Sequence, residues 1–343
     1  MRGRVALGLI GVVVFGVVFG VSMSGQPSGH LNPMIDLLAS KKPSFGVGVP
    51  TQPRAGGGNR GGAPATTPPP APVPQKTPAE LAADALGYRQ ADYFFTAAME
   101  RNIDAGATSI GAMQDAIAAA GPLTTTTPRR LMVPLSSKAP NISRADMPAD
   151  PAAYVTNISR QLNVGVSSVS FVEVDSAQEL RLGIAAMRFK ANGGVRPDDV
   201  GNAPKYWGIS EAEYRRTADV WPLNPQGELV VWAIIETKEG LANVREIAQV
   251  PGLSVLVPGA GTLGGVFSTT GADGRRVRDD VAWEAAIQTV LAACKEFKLA
   301  CGYPVSETDI ETRMQQGFNV GILQAFNESA FRAVTKGRQL GGR

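Results

Sequence analysis

Eight times along this chain a short run of β-forming residues is followed by a stretch with helical spacing, and that alternation restricts the fold more than any other feature. The predicted strands are 45–49, 92–97, 130–135, 166–174, 229–236, 254–257, 300–305 and 319–323. The predicted helices are 80–88, 109–120, 151–162, 176–189, 241–250, 281–297, 307–316 and 327–336. In 109–120 the apolar Ile110, Met113, Ile117 and Ala120 share one helical face. Segment 229–236 is almost continuously apolar, as suits a parallel strand covered on both sides. Asp150 and Ser176 sit where N-caps belong, with Glu179 placed to complete a capping box. Pro251, Gly252 and Gly317 follow helix ends. Eight pairs in order predict an α/β fold, a single closed (β/α)8 barrel of the TIM type. Such a barrel takes about 250 residues, and the 343 present leave room for extensions.

The extensions have their own signatures. Arg2 and Arg4 precede an uninterrupted apolar run of 17 residues, 5–21, and small residues follow at Ser22 and Ser24. Residues 1–24 therefore read as a signal peptide or an uncleaved membrane anchor. The run is slightly short against the about 20 residues that a spanning helix needs. Either way the barrel, within 25–343, is expected outside the cytoplasm, periplasmic or tethered to the membrane through this segment alone. A Pro/Gly-rich stretch at about 52–78 can build no core. The strand count places it between the first strand and the first helix, on the face where barrel active sites lie.

Several chemistries are excluded or weakened. The net charge of +3 owes two charges to Arg2 and Arg4, and no basic stripe with interleaved aromatics exists, so nucleic acid is not an expected partner. His30 is the sole histidine, lies outside any regular pattern and is expected in a solvated tail. Cys294 and Cys301, seven apart on a helix and the next strand, make no zinc motif. They are expected as buried free thiols, although export would permit a bridge. The loop Gly259-Ala-Gly-Thr-Leu-Gly-Gly265 lacks the Lys-Ser/Thr ending of a phosphate loop. Trp207 and Trp232 are expected in the core or at the rim.

The segment Val231-Trp-Ala-Ile-Ile-Glu-Thr-Lys-Glu-Gly240, followed by a helix ending Ile247-Ala-Gln-Val-Pro-Gly252, resembles the HpcH/HpaI aldolase/citrate lyase family. The loop from Gly259 to Gly264, the segment Ala293–Gly302 and Gln316-Gly-Phe-Asn319 carry the likeness onward, and Gly194-Val-Arg196 is similar to the family's Gly-x-Arg region. The resemblance runs over roughly 32–331. It implies binding of pyruvate or an acyl-thioester enolate on Mg2+ or Mn2+, and making or breaking of a carbon–carbon bond. The metal lowers the energy of the enolate, a histidine moves the proton, and an arginine steadies the oxyanion. It also implies association of barrels into a homo-oligomer.

Carried over position by position, the resemblance is incomplete. Glu236 matches the first metal carboxylate. The second, an aspartate, falls on Thr262, so Glu173 or Asp175 at the end of the fourth strand would have to help hold the ion, unless Asp175 serves the next helix instead. The family's Asp-x-Glu-His reads Ala98-Met-Glu100-Arg101. Arg101, always charged, cannot act as a base but can bind a substrate anion, leaving Glu100 or a water to move the proton. The arginine near the end of the third strand falls on Met132, with Arg129 and Arg130 close by, and Arg130 is the candidate. Arg196, Gly259, Ala260 and Gly261 are expected around the substrate. Two readings follow: an exported, metal-assisted lyase acting on a 2-oxo acid or related carboxylate, or a retired barrel that binds a small carboxylate or a partner protein.

Overall fold

The computed structural model describes residues 29–52, 74–121, 130–140 and 150–343. The signal or anchor segment and most of the Pro/Gly-rich stretch lie outside them. The barrel strands are β1 (Ser44–Gly48), β2 (Tyr93–Thr96), β3 (Leu135–Ala139), β4 (Ser168–Phe171), β5 (Leu229–Ile235), β6 (Leu253–Pro258), β7 (Ala300–Pro304) and β8 (Val320–Leu323). Each pairs in parallel with the next, and β8 returns to β1, so the ring is closed.

Strand parity divides the core in two. On β5, Leu229, Val231, Ala233 and Ile235 pack outward into the shell shared with the helices. The alternate residues Val230, Trp232 and Ile234 point inward, beside Tyr93, Phe95, Val255, Val257 and Ile322. That is the period of two expected of a strand buried on both faces, so Trp232 is interior core. Gly46 makes room inside the ring. A Cβ there would lie 2.1 Å from the Tyr93 ring, whose hydroxyl reaches over β1 to the Gly321 carbonyl of β8 at 2.8 Å.

The helices are α1 (Pro33–Ala39), α2 (Pro78–Gly87), α3 (Ala98–Arg101), α4 (Ile103–Ala119), α5 (Pro151–Asn163), α6 (Ala177–Met187), α7 (Ala203–Trp207), α8 (Glu211–Thr217), α9 (Lys238–Ala242), α10 (Val244–Ala248), α11 (Ala260–Val266), α12 (Asp280–Phe297), α13 (Ile310–Gln316) and α14 (Glu328–Leu340). Asp150 caps α5, and Ser176 with Glu179 forms the capping box of α6. The helix expected at 241–250 is two short ones, α9 and α10. Helix α1, opened by Asn32 and Pro33, closes the N-terminal end of the ring by placing Met34, Ile35 and Leu38 in the inner core.

The largest shift concerns the third strand, expected at 130–135 and found at Leu135–Ala139. Residues 130–134 instead run beside the N-terminal segment, with the Leu131 N–H bonded to the Leu31 carbonyl at 2.9 Å. Pro134 has no N–H for a ladder. The two described ends of the Pro/Gly-rich stretch, Gln52 and Lys76, are tied by a reciprocal pair of hydrogen bonds of 2.7 and 2.8 Å. They follow β1, where the strand count placed the insertion.

Candidate active site at the barrel mouth

Parity also decides which side chains reach the C-terminal mouth. Glu236 continues the inward column of Val230, Trp232 and Ile234, one step past the end of β5, and is 5% exposed. On β3, Leu135 and Ala139 pack outward, so Ser136 and Lys138 face the interior. Ser136 meets Ser170 across the ladder, hydroxyl to hydroxyl at 3.2 Å. Lys138 stands one layer higher, with its Nζ 3.9 Å from Glu236 Oε1 and 4.0 Å from Glu100 Oε2. One step past the end of β6 the same layer is Gly259. A Cβ there would come within 2.3 Å of Glu236 Cγ, so this position lets the carboxylate pass.

These groups border a cavity of about 230 Å³, whose wall includes Phe95, Lys138, Glu236, Thr262 and Gln324. The expected substrate contacts Gly259, Ala260 and Gly261 line it as well. Phe95, Lys138 and Gln324 also border a second, adjoining cavity of about 420 Å³. Burial pushes the Glu236 carboxyl above its ordinary range, with Glu173 and Glu100 adding to the rise, against the Lys138 charge and the Thr262 hydroxyl bond. An acid so placed holds its proton nearer to neutral pH than a surface carboxyl does.

The donor set does not suit a divalent ion. Mg2+ demands near-octahedral oxygen ligands at about 2.0–2.1 Å. Glu236 meets a threonine hydroxyl where the family pattern has aspartate, and an ammonium stands 3.9 Å from its oxygen. At an effective dielectric near 20, two unit charges about 4 Å apart interact by about 4 kcal/mol, and a divalent ion beside Lys138 doubles that cost. Among the described residues no group of three or more Asp, Glu, His or Cys side chains is arranged to hold a metal. Asp175 is engaged elsewhere: its carboxylate accepts from the Thr237 hydroxyl and its carbonyl from Asn243 at 2.8 Å, joining the loops after β4 and β5. Glu173, with φ of 50°, stays on the mouth side near Glu236.

Other expected residues go to the opposite end. Arg130 pairs with Asp36 and donates to the His30 carbonyl at 3.1 Å, beneath the barrel. Arg196 does not shape the mouth. Fully buried, it donates to Asn163 and the Tyr214 hydroxyl, each at 3.1 Å, with its guanidinium 4.4 Å from the Phe189 ring centre. Asn163 ends α5 just before β4, so Arg196 braces α8 against the N-terminal end. Trp207 packs there too, donating to the Gly165 carbonyl. His30 is not in a solvated tail: its ring lies 3.2 Å from Glu228, a contact that raises its pKa against the opposing effect of burial. Arg101 ends α3, and its side chain lies outside what the structure describes.

Cys294 and Cys301 are joined in a disulfide, with Cα atoms 5.7 Å apart, rather than left as free thiols. Lys138 is the mouth residue that sequence reasoning passed over. The run Leu135-Ser-Ser-Lys-Ala139 is too polar to stand out as a strand, although Pro134 before it is a reason to start the strand there.

Comparison with known proteins supports the architecture and gives the chain its family. No curated protein sequence matches it. Its fold is similar to an HpcH/HpaI aldolase/citrate lyase family protein from Burkholderia cenocepacia J2315, with 18% identity, 91% of this chain and 100% of that one covered, and a TM-score of 0.58. An HpcH/HpaI aldolase from Desulfitobacterium hafniense DCB-2 gives 13% identity, 90% and 95% coverage and 0.54. The citrate synthase SbnG gives 15% identity, 90% and 98% coverage and 0.52. The sequence model of HpcH/HpaI aldolase/citrate lyase matches residues 147–328, more than half of the chain and the part that carries β4 to β8 with Glu236. The chain belongs to the HpcH/HpaI aldolase/citrate lyase family.

Proposed function

We propose that this protein is an exported carbon–carbon lyase of the aldolase type, acting on a pyruvate-type 2-oxo acid or related carboxylate through its enolate. The observation that carries the reading is Glu236, a buried acid of raised proton affinity, aimed into a small cavity at the C-terminal end of the barrel. Removing a proton from the carbon beside a keto group leaves an electron pair that spreads onto the carbonyl oxygen. Glu236 as carboxylate takes that proton and returns it, and its raised affinity brings it closer to the value that proton transfer at neutral pH requires. In the synthetic direction the enolate carbon attacks an acceptor carbonyl, and cleavage is the reverse. Glu100, across Lys138, is the alternative proton carrier. Mg2+ or Mn2+, implied by the family, finds a poor donor set in Glu236 and Thr262, so no step here passes through a metal.

Export is supported by residues 1–24 and by the Cys294–Cys301 bridge, since disulfides persist in oxidising compartments. Thiol labelling of the envelope fraction tests it, with both cysteines unreactive until reduced. A homo-oligomer follows from the resemblance and is read by light scattering.

The proton exchange of pyruvate in heavy water, followed at the methyl signal by NMR, tests the chemistry. Exchange that disappears in Glu236→Gln is the expected result. No exchange in the wild type would overturn the enolate reading. The second reading, a retired barrel that binds a small carboxylate or a partner protein, would then stand. It has its own observation: the sole histidine is bound to Glu228 at the far end of the barrel and cannot serve the mouth.

A further inference from the structure

We infer that the Lys138 ammonium, rather than a divalent metal ion, is the cation that holds the ligand's carboxylate or enolate oxygen in the barrel mouth, so that this chain binds a small 2-oxo acid without metal. The inference rests on the reading that a small carboxylate occupies the mouth, and it adds which charge receives it.

Three observations carry it. First, Lys138 is built into the site. It shares the inner face of β3 with Ser136 and stands in the layer of Glu236 and Gly259, bordering both mouth cavities. Second, its nitrogen stands 3.9 and 4.0 Å from the nearest oxygens of Glu236 and Glu100. Those separations are too long for direct hydrogen bonds. A ligand oxygen about 2.8 Å from each group closes such a gap, accepting from the ammonium and, as an enol, donating to Glu236. An ammonium has three donors and no acceptor, and so suits a carboxylate as a point charge. Third, the groups that would hold a metal have been redirected: Thr262 gives its hydroxyl to Glu236 and Asp175 takes one from Thr237. Only one carboxylate of the implied pair remains, and a fixed positive charge stands beside it.

The two alternatives predict opposite effects of one substitution. Glu236 would be the indispensable ligand of a metal, but it is a negative neighbour of Lys138. If Lys138 is the cation, Glu236→Gln tightens binding of a small dianion. If a metal is, the same change abolishes it.

The experiment is calorimetric titration of the full chain with oxalate, a planar mimic of the pyruvate enolate, in chelator and again with Mn2+. The expected result is an oxalate Kd that changes less than two-fold between the two conditions. It falls several-fold in Glu236→Gln and rises at least ten-fold in Lys138→Met. Free Mn2+ measured by electron paramagnetic resonance should not be depleted by the wild type, and this arm stands even if Lys138→Met fails to fold. Binding of oxalate only with Mn2+, lost in Glu236→Gln, overturns the inference and leaves the proposed function intact. Binding in neither condition overturns both.

Discussion

The two ends of this barrel hold their charges in different ways. At the N-terminal end the main charged groups meet their partners directly. Asp219, 2% exposed at its side chain, accepts from Arg188 Nε at 2.6 Å and Nη2 at 3.1 Å, and from Asn224 at 3.0 Å. Asp92 takes Arg338 at 3.1 Å and Arg343 at 2.6 Å while bonding the Phe45 N–H at 2.9 Å. Arg130 meets Asp36, and His30 meets Glu228. At the C-terminal end the Lys138 ammonium stands 3.9 Å from Glu236 and 4.0 Å from Glu100, and Glu236, with Glu173 also acting on it, is held above its ordinary range. Charges matched by direct hydrogen bonds stabilise a fold, whereas a pair set 3.9 Å apart, as Lys138 and Glu236 are, leaves room for an incoming group between them. The contrast agrees with the division of labour in (β/α)8 barrels, in which chemistry sits at the strands' C-terminal ends.

The largest expected effect comes from breaking the matched end. Arg188→Met leaves Asp219 buried without its fork. Burial alone raises that carboxyl, and the bonds from Arg188, Asn224 and the Val220 N–H together hold it below its ordinary value. Removing one partner of a buried pair costs about 3–5 kcal/mol, read as a lowered urea midpoint. The Asp219 contribution is present above the ordinary aspartate range and is lost as pH falls through the depressed pKa. The wild type therefore shows a stability loss in strong acid that the variant lacks. Oxalate affinity of the folded fraction should stay within two-fold. A change as large as that of Lys138→Met would mean that the two ends are not separate.

At the mouth the complementary test is Gly259→Ala. The new methyl, placed 2.3 Å from Glu236 Cγ and 2.8 Å from its Cδ, must push the carboxylate aside. A misplacement of about 1 Å at a reacting group can cost on the order of 100-fold in rate. Pyruvate exchange should fall by that order while the urea midpoint moves less than in Arg188→Met, because what is displaced is one side chain rather than backbone. Unaltered exchange would remove Glu236 from the chemistry.

What could be read in the sequence divides along the same line. Strands buried on both faces announce themselves by apolar runs, so β5 and β6 were placed within a residue or two, and Glu236 with them. The capping residues Asp150 and Ser176 are local signals and were legible for the same reason. β3 was not, because its inner face carries Ser136 and Lys138 and its polar run looks like a loop. The error of five residues at the strand's start hid Lys138 and put Arg130 forward in its place. Arg196 was legible as part of a motif, but a motif does not say to which end of the barrel its loop belongs. Only the packing of Asn163, Phe189 and Tyr214 around it decides that. The Cys294–Cys301 bridge depended on how helix α12 approaches β7, which a spacing of seven does not fix.

The smallest expected effect sharpens the comparison from the matched end. His30 gains proton affinity mainly from its bond to Glu228, with further attraction from the Glu228 and Asp36 charges, against burial and the Arg130 charge. A histidine whose pKa is higher folded than unfolded contributes stability that is fully present below the ordinary value near 6.5 and is lost as pH rises through the folded value. Its side chain is 21% exposed, so the contribution is on the order of 1 kcal/mol or less. The urea midpoint of the wild type should therefore decline slightly as pH rises through and above 6.5. In His30→Gln that decline should flatten, because the glutamine amide can still donate to Glu228 without titrating. With one histidine in the chain, a slope that survives the substitution would have to come from a raised acid. Among the described residues the candidate is Glu236, whose own loss of stability begins at lower pH, as the medium rises above the ordinary glutamate range. Repeating the titration in Glu236→Gln separates the two, and thereby assigns the pH response to the matched end or to the mouth.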